Sequence, residues 1–183
     1  MTKGALTALR STSPLSVDVS ELLRRPGATQ HVSVSTDLEE IRGELARVPE
    51  GSGLQLDLQL DSLADGIHVH GEIAGGVTEE CARCLRTIPA RIEVPVHEVY
   101  LYPADAGDDG ETYAIEDETL DLEPMVRDAV ILALPLNPLC RPDCKGLCPT
   151  CGADRNDVEC GHDDAPTNVR WGALERLRDM MED

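Results

Sequence analysis

Phenylalanine is absent from this 183-residue chain, and one tryptophan and three tyrosines bring the aromatic content to only 2%. With 41% hydrophobic residues there is enough apolar material for a core, but that core has to be aliphatic, made of Leu, Val, Ile and Ala. Basic residues are scarce as well. Sixteen Lys and Arg face 35 Asp and Glu, a net charge of −19. Such a surface lacks the electrostatic term behind nonspecific nucleic-acid binding and suits a basic protein partner. No apolar run approaches the roughly 18 residues of a membrane-spanning helix. The opening segment MTKGALTALRSTSP is too polar and too short for an apolar targeting core. The expectation is a cytoplasmic protein with no membrane partner. A Gly-rich phosphate loop, a nucleophile elbow and a convincing acid–base pair are also missing, so no catalytic residue and no small-molecule substrate is expected.

What the chain does have is cysteine, seven in all, clustered. Cys144-Lys-Gly-Leu-Cys148-Pro-Thr-Cys151-Gly152 is followed by Cys160. In a reducing compartment such spacings read as metal ligands or redox thiols, not disulfides. Cys148 and Cys151, two residues apart, grip one ion, and Gly152 lets the backbone fold around the sulfurs. Adding Cys144 and Cys160 gives a closed tetrahedral set, which is structural because no position is left for water or substrate. Zinc suits an all-thiolate tetrahedron. The alternative set joins Cys81 and Cys84 to Cys148 and Cys151, as two knuckles of a zinc ribbon. A third reading makes Cys81-Ala-Arg-Cys84 a redox dithiol, which wants a helix N-terminus that the surrounding strand pattern does not supply. Cys140 is left as a small apolar residue, and His162 stands by as a replacement for Cys160. Cys144-x-x-x-Cys148-x-x-Cys151 also has the spacing of radical enzymes with an iron–sulfur cluster, but the large barrel they need has no room after it. Arg83, Arg86 and Arg91 form the one basic cluster free of acids, a local patch able to touch phosphate or simply a charge-balanced hairpin.

Around these motifs the hydrophobic pattern is mixed. Leu15, Val17 and Val19 alternate, Ser20 can cap a helical turn that Pro26-Gly27 stops, and Val32 and Val34 alternate again. Leu38–Val48 has weak helical spacing that is partly compatible with strand. Leu54, Leu56, Leu58 and Leu60 alternate with polar residues, as do Ile67, Val69, Gly71 and Ile73 after the turn Ala64-Asp65-Gly66, which predicts a hairpin. His68 and His70 fall on its polar face. Ile92, Val94 and Val96 predict a further strand, placed at an edge or a bulge by Pro95. Residues 103–121 read as a solvated acidic loop. Leu122, Met125, Val126, Ala129, Val130 and Ala133 predict a helix that Pro135 ends. A last helix is predicted over Val169–Met181.

Cys81-Ala-Arg-Cys84-Leu85, Leu120-Asp121-Leu122 leading to Ile131-Leu132-Ala133-Leu134-Pro135, and the 144–152 motif with Asn156 together resemble the YceD family of large ribosomal RNA subunit accumulation proteins, over roughly residues 14–161. Residues 165–183 look like a helical extension found in a subset of members. The resemblance implies a cytoplasmic, non-enzymatic factor supporting 23S rRNA. The acidic charge balance then points to a basic ribosomal protein or a large-subunit assembly intermediate as partner, and the Arg83, Arg86 and Arg91 cluster leaves room for rRNA contact. It transfers the cysteine positions and the Arg83 hairpin as motif alone. The expected fold is α+β: an antiparallel, open or barrel-like sheet, the 122–134 helix packed on it, and a zinc knuckle within the cysteine cluster 140–160. A thiol redox enzyme using Cys81 and Cys84 is the alternative from another class, and a metal-responsive regulator a third.

Overall fold

The structure, a computed structural model, describes residues 13–102 and 112–162. The predicted helix over Val169–Met181, the extension 165–183 and most of the acidic loop lie outside the described residues. Elements run β1 (Ser16–Asp18), α1 (Ser20–Leu23), β2 (Thr29–Thr36), β3 (Ile41–Arg42), β4 (Ala46–Val48), β5 (Leu54–Ser62), β6 (Gly66–Glu80), β7 (Thr87–Leu101), β8 (Tyr113–Ala114), β9 (Thr119–Asp121) and α2 (Glu123–Ala133).

The leucine alternation drives the centre of the fold. Leu54, Leu56, Leu58 and Leu60 are all buried, and they pair antiparallel with β6 so that Leu56 faces Ile73 and Leu60 faces Val69. A strand's side chains alternate between two faces, so one register buries every leucine and a one-residue slip would expose them all. β2 adds to the outer edge of β5, Val32 opposite Leu58 and Val34 opposite Leu56. β7 pairs with β6 along its whole length, from Gly66–Leu101 to Glu80–Thr87. Its inward residues Ile92, Val94 and Val96 are buried, and among the described residues Pro95 sits where β7 has no second partner strand, since only Tyr100 and Leu101 pair onward with β8. The result is a mostly antiparallel sheet with a half-barrel curl. β1 pairs antiparallel with β9 in a separate two-stranded sheet, so part of the expected acidic loop is strand.

Two sequence expectations are corrected locally. Leu38–Val48 forms no helix: Ile41 and Val48 face each other across β3 and β4, and both are buried. Their burial against the sheet outweighs a weak 3.6-residue spacing. At α1, Ser20 makes no side-chain cap. Asp18 plays that part, accepting the Ser20 N–H at 2.8 Å.

α2 buries Met125, Val126 and Val130 against the sheet, packing chiefly on β7 and β3. Pro124 stands in its first turn, where a missing N–H costs nothing. Glu123 binds Arg127 at 2.8 Å one turn on. Among the described residues Tyr100 is the one buried aromatic, and its hydroxyl donates to the Asp121 carbonyl at 2.9 Å. Apart from Tyr100 and Met125, the main core cluster of described residues is Leu, Val, Ile and Ala, as the composition requires. After α2, Pro135 turns the chain toward the β6–β7 hairpin tip, which brings the cysteine segment to the sheet.

Candidate metal centres

Cys81-Ala-Arg-Cys84-Leu-Arg86 is the loop at the tip of the long β6–β7 hairpin, between paired Glu80 and Thr87. The Cys81 N–H donates to the Arg86 carbonyl at 2.9 Å, and the Leu85 N–H to the Cys81 carbonyl at 2.9 Å. Leu85 takes φ +59° to close this turn. The segment arriving from α2 docks on it edge by edge. Ala82 N–H donates to the Pro138 carbonyl at 2.8 Å, Leu147 N–H to the Arg83 carbonyl at 3.0 Å, and the Arg83 guanidinium to the Cys144 carbonyl at 2.8 Å. Gly146, at φ +72°, rests on Arg83, where a Cβ would stand 3.0 Å from its carbonyl oxygen.

These contacts bring four sulfurs together. Cys81, Cys84, Cys140 and Cys144 all lie within 4.8 Å of one another, with Cys81 Sγ 3.8 Å from Cys144 Sγ and Cys84 Sγ 3.7 Å from Cys140 Sγ. A tetrahedron with Zn–S bonds of about 2.3 Å has edges of about 3.8 Å. Cys81, Cys84 and Cys144 are buried, and Ile88 and Leu147 pack around them. Burial works against ionising Cys81, but the amides of Cys140, Cys84 and Arg83 point at its sulfur and hold the thiol down at about 6. Burial likewise opposes Cys144, yet the Asn156 side-chain amide, 3.3 Å from its sulfur, and the Gly146 N–H lower it. Burial together with the neighbouring sulfurs of Cys144, Cys84 and Cys81 pushes Cys140 up to about 12. Four sulfurs this close cannot all ionise without a cation between them, a charge that a divalent ion would supply.

A second group follows directly. Cys148, Cys151, Cys160 and His162 also have donor atoms within 4.8 Å of one another. Cys148 is buried, Cys160 half-buried, Cys151 and His162 exposed. The Cys151 and Thr150 amides hold the Cys148 thiol at about 6 against its burial. The Gly152 N–H donates to the Cys148 carbonyl at 2.8 Å, and Gly152 has φ +73°, the turn that a glycine after the second thiol predicts.

The expected set of Cys144, Cys148, Cys151 and Cys160 is thus divided. Cys144 joins the hairpin tip, and the other three gather with His162. The alternative set of Cys81, Cys84, Cys148 and Cys151 is divided too: the tip does meet a second cysteine pair, but that pair is Cys140 and Cys144. Cys140 is a member of the buried group, not a spare core residue, and His162 stands beside Cys160 instead of replacing it. The spacing Cys140-x-x-x-Cys144, the same as Cys144-x-x-x-Cys148, was the available sign.

The basic cluster is largely engaged within the molecule. Arg86 pairs with Asp157 at 2.7 Å and Asp154 at 3.1 Å, and Arg83 holds Cys144. Arg91 stays exposed on β7, 3.9 Å from Glu93. On the polar face of the sheet, Asp61, His68 and His70 form a third group, in which His70 Nε2 and Asp61 Oδ2 already bind each other at 2.9 Å. His97 extends the stack of rings, parallel to His70 within 3°.

Three comparisons bear on this arrangement. A family model described as large ribosomal RNA subunit accumulation protein YceD matches residues 69–178, which takes in both cysteine groups. An uncharacterized protein of Mycobacterium tuberculosis is 41% identical over 168 residues, covering 88% of this chain and 80% of its own, and one of Mycobacterium leprae is 32% identical over 183 residues, covering 97% and 82%. A Zea mays chloroplastic homologue, named for large ribosomal RNA subunit accumulation, is 41% identical over 49 residues, covering 27% of this chain and 17% of its own. No solved structure matches. Among the described residues no helix is long and apolar enough to cross a membrane.

Proposed function

The chain belongs to the YceD family, and from that premise we propose that it is a non-enzymatic factor for accumulation of 23S rRNA, acting in the bacterial cytoplasm during assembly of the large ribosomal subunit. Residues 14–161 form its binding domain and 165–183 an extension. The observation that carries this reading beyond the family name is the buried thiol group. Cys81, Cys84, Cys140 and Cys144 fit a closed tetrahedral zinc site, and a closed site fixes structure and does no chemistry of its own. Zinc there would fasten the β6–β7 tip to the segment after α2 and so present a rigid surface.

The net charge of −19 favours a basic ribosomal protein as the direct partner over naked rRNA. Contact with rRNA through Arg83, Arg86 and Arg91 would fall mainly on Arg91, because Arg83 and Arg86 are bound internally. The redox reading of Cys81 and Cys84 needs a thiol that a substrate can reach, and these two are buried within a four-sulfur group.

Deletion of the gene should lower 23S rRNA relative to 16S rRNA, and the tagged protein should co-sediment with large-subunit precursors. Unchanged rRNA levels together with no ribosomal association would sink the proposal. Replacing Cys81 and Cys84 by Ser should remove the metal held by the buried group. Loss of a thiol-exchange activity with metal retained would favour the enzyme instead.

A further inference from the structure

We propose that Cys148, Cys151, Cys160 and His162 form a second zinc site, exchangeable and independent of the buried one. The four ligands follow the spacing C-x-x-C-x8-C-x-H, with both pairs close enough in sequence to be set by local turns. Their donor atoms lie within 4.8 Å of one another, and Cys148 Sγ stands 3.8 Å from His162 Nδ1. Zn–S bonds of about 2.3 Å and Zn–N bonds of about 2.0–2.1 Å give a mixed tetrahedral edge of about 3.6 Å, so small side-chain shifts close the set.

The scaffold is ordered backbone. Cys148 N–H donates to the Ala153 carbonyl at 2.8 Å, Val158 N–H to the Asp154 carbonyl at 3.0 Å, and Leu147 bridges Asp154. Asp154 is in turn held by Arg86 from the hairpin. Three thiolates and a neutral imidazole around Zn²⁺ carry a formal charge of −1, and the recess beside Cys160 and His162 is lined by Lys145 and Arg155 together with one acid, Glu159. Exposure separates this site from the buried one. Solvent reaches Cys151 and His162, so a chelator can attack the ion in place. The proposal shares with the buried centre the premise that these thiols hold zinc, but not its ligands.

The test is zinc content of the full chain by native mass spectrometry, with release to a chromogenic chelator followed in time. The wild type should carry two ions and release them in a fast and a slow phase of equal amplitude. Cys151→Ser/His162→Ala changes only exposed side chains, so its circular dichroism should be unchanged. It should carry one ion and lose the fast phase alone. One ion in the wild type, still present in the variant, would overturn the second site and leave the buried centre standing. No zinc in either protein would overturn both, and two ions retained in the variant would overturn the ligand assignment.

Discussion

The two sulfur groups have nearly the same chemistry and opposite positions. The first joins residues far apart in sequence: Cys81 meets Cys144 across 63 positions and Cys84 meets Cys140 across 56, inside a packed shell. The second closes a loop of 14, from Cys148 to His162, at the surface. Loop-closure entropy scales with the logarithm of loop length, so an ion in the first constrains the unfolded chain by about 1.3 kcal/mol more than one in the second. Burial adds to the contrast, because an unfilled buried group leaves crowded thiols out of water. A metal motif's worth to a fold therefore depends less on its ligands than on what they join.

The contrast is broken most directly at Cys144. Cys144→Ser should remove the buried ion and lower the thermal midpoint by roughly 10–15 °C, corresponding to about 3–5 kcal/mol. Calorimetry on this variant and on Cys151→Ser should show only a small shift for the second. Equal shifts would erase the distinction.

Asn156 gives a finer test, since it touches both sides. Its side-chain N–H₂ reaches the Cys144 sulfur and Asp154, and its carbonyl accepts from Lys145 N–H at 2.9 Å and Arg141 at 2.7 Å. Asn156→Ala should cost about 1–3 kcal/mol in urea unfolding and speed release of the buried ion by roughly 10–100-fold, with Asn156→Gln restoring little because the reach changes. Faster release from the exposed group alone would reverse the assignment of Asn156 to the buried one.

Arg86→Ala should have the smallest effect. Its half-exposed pairs with Asp154 and Asp157 tie the hairpin tip to the scaffold of the second group, and losing them should cost roughly 0.5–1 kcal/mol. Raised salt should produce the same loss in the wild type. A larger loss would mean that the two groups act as one unit.

The sheet was largely legible in advance, because the alternation at Leu54–Leu60 and Ile67–Ile73 leaves one way to bury four leucines. The helix at 123–133 was legible for the same reason at a different period. The Leu38–Val48 segment was not, since strands of two and three residues carry too few positions to show a period. The sulfur pairing failed for a physical reason of another kind. Neighbours in sequence look like neighbours in space, and nothing local says that the chain after α2 will run beside the hairpin tip. That placement comes from Pro135, from the Ala82–Pro138 hydrogen bond and from Gly146 resting on Arg83, all of them tertiary.

The aliphatic interior has an optical consequence. Tyr100 is the single aromatic side chain buried among the described residues. Tyrosine emission from Tyr100 is the native signal for the core. Cobalt in place of zinc would supply a second colour at each sulfur group, the four-sulfur and three-sulfur sites absorbing differently, so that the hairpin tip and the surface loop could be watched separately in one sample.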